Sequence, residues 1–155
     1  MRKWLLLALV VVVIDQFSKL WIDGNLFYGQ TIPVIPSFNI VKAYNPGAAF
    51  SFLADAGGWQ RHFFSVIAVV VSIGLVWMLR KNSTNRLLSS ALSLILGGAI
   101  GNLIDRIAYG HVVDFIQIYY QQWYYPAFNL ADSAICVGAA LMIIDSFKKQ
   151  PDVAH

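Results

Sequence analysis

The stretch LLSSALSLILGGAIGNLIDRIAYGHVVDFI, residues 87–116, decides what kind of fold this chain can adopt. Residues 87–104 are apolar or small, and at about 1.5 Å per residue a helix of that length spans ~27 Å, close to the ~30 Å hydrocarbon core of a bilayer. Gly97 and Gly101 have the spacing that lets membrane helices pack closely. The stretch ends with Asp114 inside an apolar run, where an ionisable group is costly. We therefore expect a membrane helix followed by a carboxylate whose position needs a functional explanation.

Composition also indicates an integral membrane protein. Only 12% of the 155 residues are charged and the mean hydropathy is +0.62, whereas soluble domains carry about 25% charged residues. Further apolar stretches occupy residues 4–21, 63–79 and 128–147, so we predict a single domain, residues 1–155, with four transmembrane helices. The first stretch lacks an Ala-x-Ala cleavage site and contains Asp15 and Lys19, which favours a retained helix over a signal peptide.

Basic residues predict how these helices cross the membrane. If the spans alternate, three basic residues fall on one side, namely Lys42, Arg61 and Arg106. The other side holds seven: Arg2, Lys3, Arg80, Lys81, Arg86, Lys148 and Lys149. Because cytoplasmic loops are enriched in Lys and Arg, we expect both termini in the cytoplasm. The net charge of +3 is thus explained by topology and does not indicate nucleic acid as a partner.

The predicted outer side contains a long connection, residues 22–62. Residues 31–36 and 38–42 are typical of short strands interrupted by prolines, so a small extracytoplasmic β-sheet is expected. Residues 54–62 are predicted to hold a short interfacial helix with Trp59 at the membrane surface. A second outer segment, residues 119–125, has the composition of an aromatic belt.

Two aspartates are the leading candidates for chemistry. Asp114 follows the third span and Asp132 lies at the start of the fourth, so an antiparallel helix pair brings both to one face of the membrane. Two neighbouring carboxylates do not ionise together easily, an arrangement that suits acid–base hydrolysis. Structural alternatives exist: Asp114 could be a solvated loop residue, and Asp132 could serve a fourth helix capped by Asn129.

Other polar residues also admit two interpretations. Asn102 and Arg106 could face a polar cavity, or Arg106 could form an ion pair with Asp105 at the helix end. Asp15 and Lys19 stand one helical turn apart in the favourable order, and we expect them to pair in a structural or cavity-lining role. The segment NPGAAFS, residues 45–51, is on its spacing an ordinary turn.

Several kinds of site are not indicated by the sequence. The three histidines are scattered, so we predict no metal centre, and no Ser/His/Asp set or phosphate-binding glycine loop can be recognised. His111 is at most a neighbour of the acids. Cys136 is expected to be a small buried apolar residue.

Five segments in chain order together resemble bacterial lipoprotein signal peptidases (signal peptidase II), a family of membrane aspartic peptidases. The resemblance runs from about residue 15 to residue 138. The segments are DQFSK at 15–19, NPGAAFS at 45–51, GNLIDR at 101–106, GHVVDF at 110–115 and FNLADS at 128–133. The aspartic mechanism uses one ionised and one protonated carboxyl group, so no cofactor is expected.

The resemblance implies a specific activity: cleavage of prolipoproteins just before a cysteine that carries a diacylglyceryl group. It implies that Asp114 and Asp132 form the catalytic dyad. Asn45, Arg106 and Asn129 match positions that line the cleft for the substrate, where the peptide antibiotic globomycin also binds. It further implies that the small outer sheet cradles the substrate. Positions that match residues supporting the cleft are Asp15, Lys19, Gly101 and Asn102.

Two other classes of function stay open at this point. A proton-coupled transporter also uses intramembrane Asp, Lys and Asn residues, but it would favour acids near the bilayer midplane, which only Asp15 approaches. A non-enzymatic assembly subunit would tolerate the loss of Asp114 and Asp132. Cleavage of a lipidated prolipoprotein by the purified protein distinguishes these classes.

Overall fold

Helices and a small antiparallel sheet alternate along the chain in a computed structural model that describes residues 1–47 and 58–148. The helices are α1 (Arg2–Asn25), α2 (Trp59–Lys81), α3 (Arg86–Ala108) and α4 (Leu130–Ser146). The strands are β1 (Thr31–Ile35), β2 (Phe38–Asn45), β3 (Val112–Tyr120) and β4 (Trp123–Tyr124). In the sequence, β1 and β2 therefore lie between α1 and α2, and β3 and β4 lie between α3 and α4.

Three of the four predicted spans are confirmed as helices long and apolar enough to cross a membrane: α1, α2 and α3. Their exposed surfaces are rich in large apolar side chains, as expected where lipid and not water is the solvent. The fourth helix, α4, has 17 residues, which corresponds to ~25 Å. It begins at Leu130, two residues later than the predicted start, because Asn129 ends the preceding extended segment as the N-cap.

Helix α3 is the centre of the bundle, and its glycines make this possible. A Cβ at Gly97 would come within 2.6 Å of the Val11 side chain of α1. Gly98 is packed as closely against Ala131 and Ile135 of α4. The prediction that small residues of α3 form a packing face is therefore confirmed. On the side away from the sheet, α1 and α2 close over α3 through a core of Trp4, Ala8, Leu75, Leu79, Leu92 and Leu96.

The predicted small sheet is confirmed, and it has more strands than expected. Its order is β1-β2-β3-β4, and all pairs are antiparallel. The strands β1 and β2 match the predicted segments, whereas β3 was not predicted. Residues 112–120 contain Val, Ile and Tyr, the residues favoured in strands, whereas the sequence predicts only an aromatic belt at residues 119–125 and offers a loop as one alternative for Asp114. The register pairs Asp114 with Ala43 of β2.

Two smaller expectations are corrected. Trp59 and the residues up to His62 form the first turn of α2 and not a separate interfacial helix; the rest of that predicted segment, residues 54–57, lies outside the described residues. Cys136 is exposed on α4 and is not buried. An apolar sequence around a residue cannot distinguish protein contact from lipid contact, because both environments select the same side chains.

Candidate active site

Strand β3 places Asp114 in the interior of the protein. The strand begins directly after the turn at Gly110 and His111, and its first four residues are buried. Val113 and Phe115 pack against Ile22 and Leu26 at the end of α1. Because successive side chains of a strand alternate in direction, Asp114 points away from this apolar cluster. It is only 3% exposed.

The first turn of α4 holds Asp132 in a capping box. The Asn129 side chain accepts a hydrogen bond from the Asp132 backbone N–H at 2.9 Å. The Asp132 carboxylate in turn accepts from the Asn129 backbone N–H at 3.3 Å. This arrangement satisfies N–H groups that a helix start leaves unpaired. The predicted capping role of Asn129 is confirmed, and it does not compete with a role for Asp132 in chemistry, since that side chain is only half-buried.

Backbone pairing brings the two aspartates together. The segment before α4 joins β3 through Phe128, whose carbonyl accepts from Ile116 N–H at 2.8 Å and whose N–H donates to the Ile116 carbonyl at 3.0 Å. The chain then turns at Asn129 into α4. Asp114 and Asp132 are close enough for the charge of Asp132 to act on the ionisation of Asp114. They are thus neighbours despite a sequence separation of 18 residues.

Two asparagines orient the carboxyl groups. Asn129 is completely buried, and its amide nitrogen donates to Asp114 Oδ1 at 2.6 Å. Asn102 on α3 donates to Asp132 Oδ1 at 2.7 Å. The Asn102 carbonyl oxygen also accepts from the Asn129 side chain at 3.2 Å. Each aspartate is therefore held by an amide whose own orientation is fixed by further hydrogen bonds.

The electrostatic environments of the two acids differ. Burial, and next the negative charge of Asp132, raise the pKa of Asp114 to about 7, against hydrogen bonds from Asn45 and Asn129 that lower it. Both oxygens of Asp132 accept N–H bonds, and the residue lies at the positive end of α4, where anions are stabilised. This asymmetry favours Asp114 as the member of the pair that holds a proton.

A buried ionic cluster between α1 and α3 supports the two aspartates. The Lys19 ammonium lies 2.8 Å from Asp15 and 3.0 Å from Asp105, and it donates to the Asn102 carbonyl oxygen at 2.9 Å. The predicted pairing of Asp15 with Lys19 is confirmed. The other oxygen of Asp15 accepts from the Ala131 backbone N–H of α4 at 2.9 Å. A Cβ at Gly101 would lie 2.5 Å from the Asp15 carboxylate, so this position has no room for a side chain.

Asp105 and Gln16 belong to this cluster and were not predicted as site residues. Asp105 is 1% exposed; it accepts from Gln16 at 2.8 Å and from the Val113 backbone N–H at 3.2 Å. It therefore holds the residue next to Asp114. A signal was available in the sequence, because Asp105 stands three and four residues after Asn102 and Gly101 and shares their helix face.

Arg106 faces the aspartates and does not form the alternative ion pair with Asp105. Within residues 1–47 and 58–148, Asp105 is instead bridged to Lys19. The Arg106 guanidinium lies 5.6 Å from the centre of the Phe64 ring and within range of the charges of Asp132, Asp114 and, to a smaller extent, Asp105. Its Nε is buried and has no hydrogen-bond partner among residues 1–47 and 58–148. This free donor beside the dyad is suited to a ligand's oxygen atom.

Asn45 completes the described surroundings of the dyad. Its side chain hydrogen-bonds with the Asp114 carboxyl group. Its carbonyl oxygen also accepts from Gly47 N–H at 2.9 Å, which forms the predicted turn. Gly47 has φ +107°, and a Cβ there would meet Phe64 at 2.9 Å. Residues 48–51 of the same motif lie outside the described residues.

Other candidate groups are placed elsewhere. The His111 ring is tilted by 40° against the ring of Tyr44, with centroids 4.0 Å apart, and no described hydrogen bond links it to either aspartate. No group of three His, Cys or Asp residues in the described part of the chain could hold a metal ion. What the site offers is a coupled pair of carboxyl groups, one suited to accept a proton and one to donate it, with amide and guanidinium donors around them.

Known proteins are similar to this chain in sequence and in structure. The sequence model of the family described as Signal peptidase (SPase) II matches residues 7–148. The lipoprotein signal peptidase of Chromobacterium violaceum is 56% identical over 149 residues, covering 95% of this chain and 92% of that protein. The lipoprotein signal peptidase of Serratia proteamaculans is 56% identical over 146 residues, covering 94% and 86%.

A solved structure is similar over nearly the full length of the chain. It is described as a bacterial membrane enzyme structure determined by the in meso method at 1.9 Å resolution. The TM-score is 0.84 at 36% identity, and the match covers 97% of this chain and 96% of that one. Sequence and overall fold thus agree, and the chain belongs to the signal peptidase II family of bacterial membrane peptidases.

Proposed function

We propose that this protein is an aspartic endopeptidase that removes signal peptides from prolipoproteins, with Asp114 and Asp132 as its catalytic dyad. The observation that carries this proposal is the asymmetric carboxyl pair: Asp114 is buried and has its pKa raised to about 7, and Asp132 is half-buried with N–H donors on both oxygens. Peptide hydrolysis needs one base and one acid at the reacting bond, and such a pair supplies both without a cofactor.

The proposed reaction begins with the two carboxyl groups in different states. Asp132 takes a proton from a water molecule, whose oxygen attacks the scissile carbonyl carbon, while Asp114 gives its proton to the carbonyl oxygen. The Asn129 amide occupies Asp114 Oδ1, so we assign the transferable proton to Oδ2. Asp132 then delivers its proton to the leaving nitrogen, the C–N bond breaks, and Asp114 recovers its proton from the hydroxyl group. The dyad ends in its starting state.

Arg106 and Asn45 are proposed to bind the substrate beside the dyad. The Nε of Arg106, which has no partner in the described part of the chain, can donate to a main-chain carbonyl of an extended signal peptide. Asn45 lies on the sheet side of Asp114 and can orient both the acid and the peptide. Asn129 was expected to line the cleft, but its complete burial favours positioning of the dyad over contact with substrate. Globomycin, by resemblance, would bind in the same cleft.

The membrane setting is proposed to select a lipidated substrate. We assign α4 as a fourth span from its apolar sequence. From the charge bias of the loops we assign both termini to the cytoplasm and the dyad to the outer face of the cytoplasmic membrane. A diacylglyceryl group on the substrate cysteine can then stay in the lipid while water reaches the bond before that cysteine. Binding energy from this remote group orients the reacting bond.

One experiment tests the function directly. Purified protein is incubated with a prolipoprotein in two forms, with and without the diacylglyceryl group, and the product is identified by mass spectrometry. We expect a cut just before the modified cysteine, a much lower kcat/KM for the unmodified form, and no product with Asp114→Asn. Equal kcat/KM for both forms would contradict the selection of lipidated substrate, and full activity of the variant would contradict the aspartic mechanism.

A further inference from the structure

The outer sheet exposes no charged side chain, although it is not part of the helical bundle. Residues 26–47 and 112–131 include all four strands and both hairpin turns, and their charged residues are Lys42 and Asp114. Both are buried, with 7% and 3% exposed. Since soluble domains carry about 25% charged residues, a sheet surrounded by water would be expected to expose several charges here.

Aromatic and branched apolar side chains cover the sheet instead. On β3 and β4, Tyr120 is 70% exposed and Trp123 is 62% exposed. Large side chains that are similarly exposed on or beside the sheet are Phe27, Tyr28, Ile32, Val34, Ile35, Ile118, Tyr124 and Tyr125. Trp and Tyr with uncharged polar neighbours such as Gln121 and Gln122 are the residues that accumulate at the boundary between lipid headgroups and acyl chains.

The sheet has two different ends. The Tyr119 N–H donates to the Ser37 carbonyl at 3.1 Å, so the β1–β2 turn and the β3–β4 turn lie side by side. The opposite end holds Asn45 paired with Val112 and, two residues further along β3, Asp114. At about 3.3 Å per residue, Asp114 and Tyr120 are ~20 Å apart along the same strand. One end therefore carries the proposed chemistry and the other carries the aromatic turns.

We infer that the two hairpin turns are a membrane contact that rests in the headgroup boundary of the leaflet next to the dyad. The exposed apolar surface continues from the helices onto the sheet, because Phe17 and Trp21 of α1 flank an apolar groove whose far wall is Ile40 and Phe115. The turns carry no charge, so the contact needs no anionic lipid. That this leaflet is the outer one rests on the orientation proposed above.

The contact has a consequence for catalysis. Asp114 lies on β3, and Phe128 ties β3 to the start of α4, where Asp132 lies. Both acids are thus connected through backbone hydrogen bonds to the strand that ends at the aromatic turn. A turn held at a fixed depth in the bilayer fixes the height of the dyad above the acyl chains, which is where a lipid-anchored substrate presents its scissile bond.

Fluorescence quenching tests the contact on the resting protein, without substrate. The chain has five tryptophans, and a variant that keeps only Trp123, with phenylalanine at positions 4, 21, 59 and 77, is reconstituted in vesicles of zwitterionic phosphatidylcholine. We expect lipids brominated near the headgroup to quench Trp123 more than lipids brominated near the chain end. Strong quenching by aqueous acrylamide without lipid quenching would overturn the inference, as would protection from both quenchers, which would indicate a protein partner.

A second experiment tests the consequence for activity. Tyr120→Asp places a charge on the turn, and Tyr120→Phe is its matched control. We expect Tyr120→Asp to lower kcat/KM in vesicles by roughly two- to fivefold, with no effect in detergent micelles and little effect of Tyr120→Phe in either. Equal losses in vesicles and micelles, or no loss in either, would overturn the proposed control of dyad height. Because the quenching experiment needs no turnover, it separates this inference from the proposed peptidase mechanism.

Discussion

The Asn129 amide nitrogen lies 2.6 Å from Asp114 Oδ1, while the carbonyl oxygen of the same side chain caps the helix that carries Asp132. One side chain therefore fixes a strand residue and a helix residue relative to each other. Because Asn129 is completely buried, its amide has no water to bond with and cannot rotate without leaving a donor or acceptor unpaired. This is why the two carboxyl groups keep their mutual geometry.

Removing either carboxylate should remove activity and leave the fold intact. Asparagine has the shape of aspartic acid but can neither accept nor deliver the proton, so Asp114→Asn and Asp132→Asn should each lower kcat by about 10³-fold or more. The double variant should be little slower than either single variant, since the residues act as a unit. The measurement is prolipoprotein cleavage by purified, folded protein. An additive loss in the double variant would argue against a dyad.

The pH dependence of stability follows from the raised pKa of Asp114. Its pKa near 7 in the folded protein lies above the ordinary value of 3.8, so the native state binds this proton more tightly than the unfolded chain. Stability from this group is full below the ordinary pKa and is lost as pH rises toward 7. Asp114→Asn resembles the protonated acid, and we expect its Tm advantage over wild type to be larger at pH 8 than at pH 5. A constant difference would contradict this assignment.

The same pKa shapes the activity profile. Because the proposed mechanism needs a protonated Asp114, kcat/KM should fall as pH rises above about 7, and it should fall at low pH when the base is protonated. The apparent pKa values of this bell-shaped profile belong to the coupled pair. A cleavage rate that keeps rising from pH 7 to 9 would exclude Asp114 as the acid.

Asn102 should matter to both stability and turnover. Its side chain donates to Asp132 and accepts from Lys19 and Asn129. Asn102→Ala leaves charged partners unsatisfied in the interior, so we expect a loss of roughly 2–3 kcal/mol in the free energy of unfolding, together with a lower kcat per folded molecule. Asn85→Ala is the control: it removes the N-cap of α3 at the other end, which costs ~1 kcal/mol. Its turnover per folded molecule should be normal.

Arg106→Ala should reduce activity more than stability. The guanidinium lies within range of the charges of both acids, and its Nε has no partner among the described residues. Its loss should therefore raise KM or lower kcat by about tenfold, the effect of one hydrogen bond to substrate. Arg61→Ala is matched to it, because Arg61 donates to the Ile107 carbonyl of α3 at 3.0 Å without contacting the acids. Assay and thermal unfolding are run on the same preparations. A destabilised Arg106→Ala protein with normal turnover would indicate a structural role.

Cysteine labelling checks the orientation of the bundle. In a Cys136→Ala background, which removes the exposed natural thiol, Gly24→Cys and Thr84→Cys place single thiols on exposed positions at opposite ends of the helices. A membrane-impermeant maleimide added to intact cells should label position 24 and leave position 84 unlabelled until the membrane is opened. The reverse pattern would place the dyad in the cytoplasm.

The sequence alone determined the class of protein and much of its frame. Apolar length fixed the helices α1, α2 and α3, since only a helix satisfies its backbone across a bilayer. The glycine spacing indicated that one face of α3 packs closely against another helix. Prolines and alternating side chains in short segments indicated the strands β1 and β2. The sequence motifs around Asp114 and Asp132 indicated that these two acids are the candidate catalytic residues. These features can be predicted from the sequence because each depends on residues that are close together along the chain.

Only the tertiary structure decided how the acids are held. Residues 112–120 form the third strand of the sheet because they pair with β2 and exchange backbone hydrogen bonds with Phe128. Neither interaction is visible as a local sequence pattern. The choice of Lys19 over Arg106 as the partner of Asp105 likewise depends on the packing of α1 against α3 at Gly101. The sequence shows which charged residues are present, but the packing of the helices decides which of them form pairs. A charged group that is removed from water needs a partner, and only groups that packing brings close to it can serve.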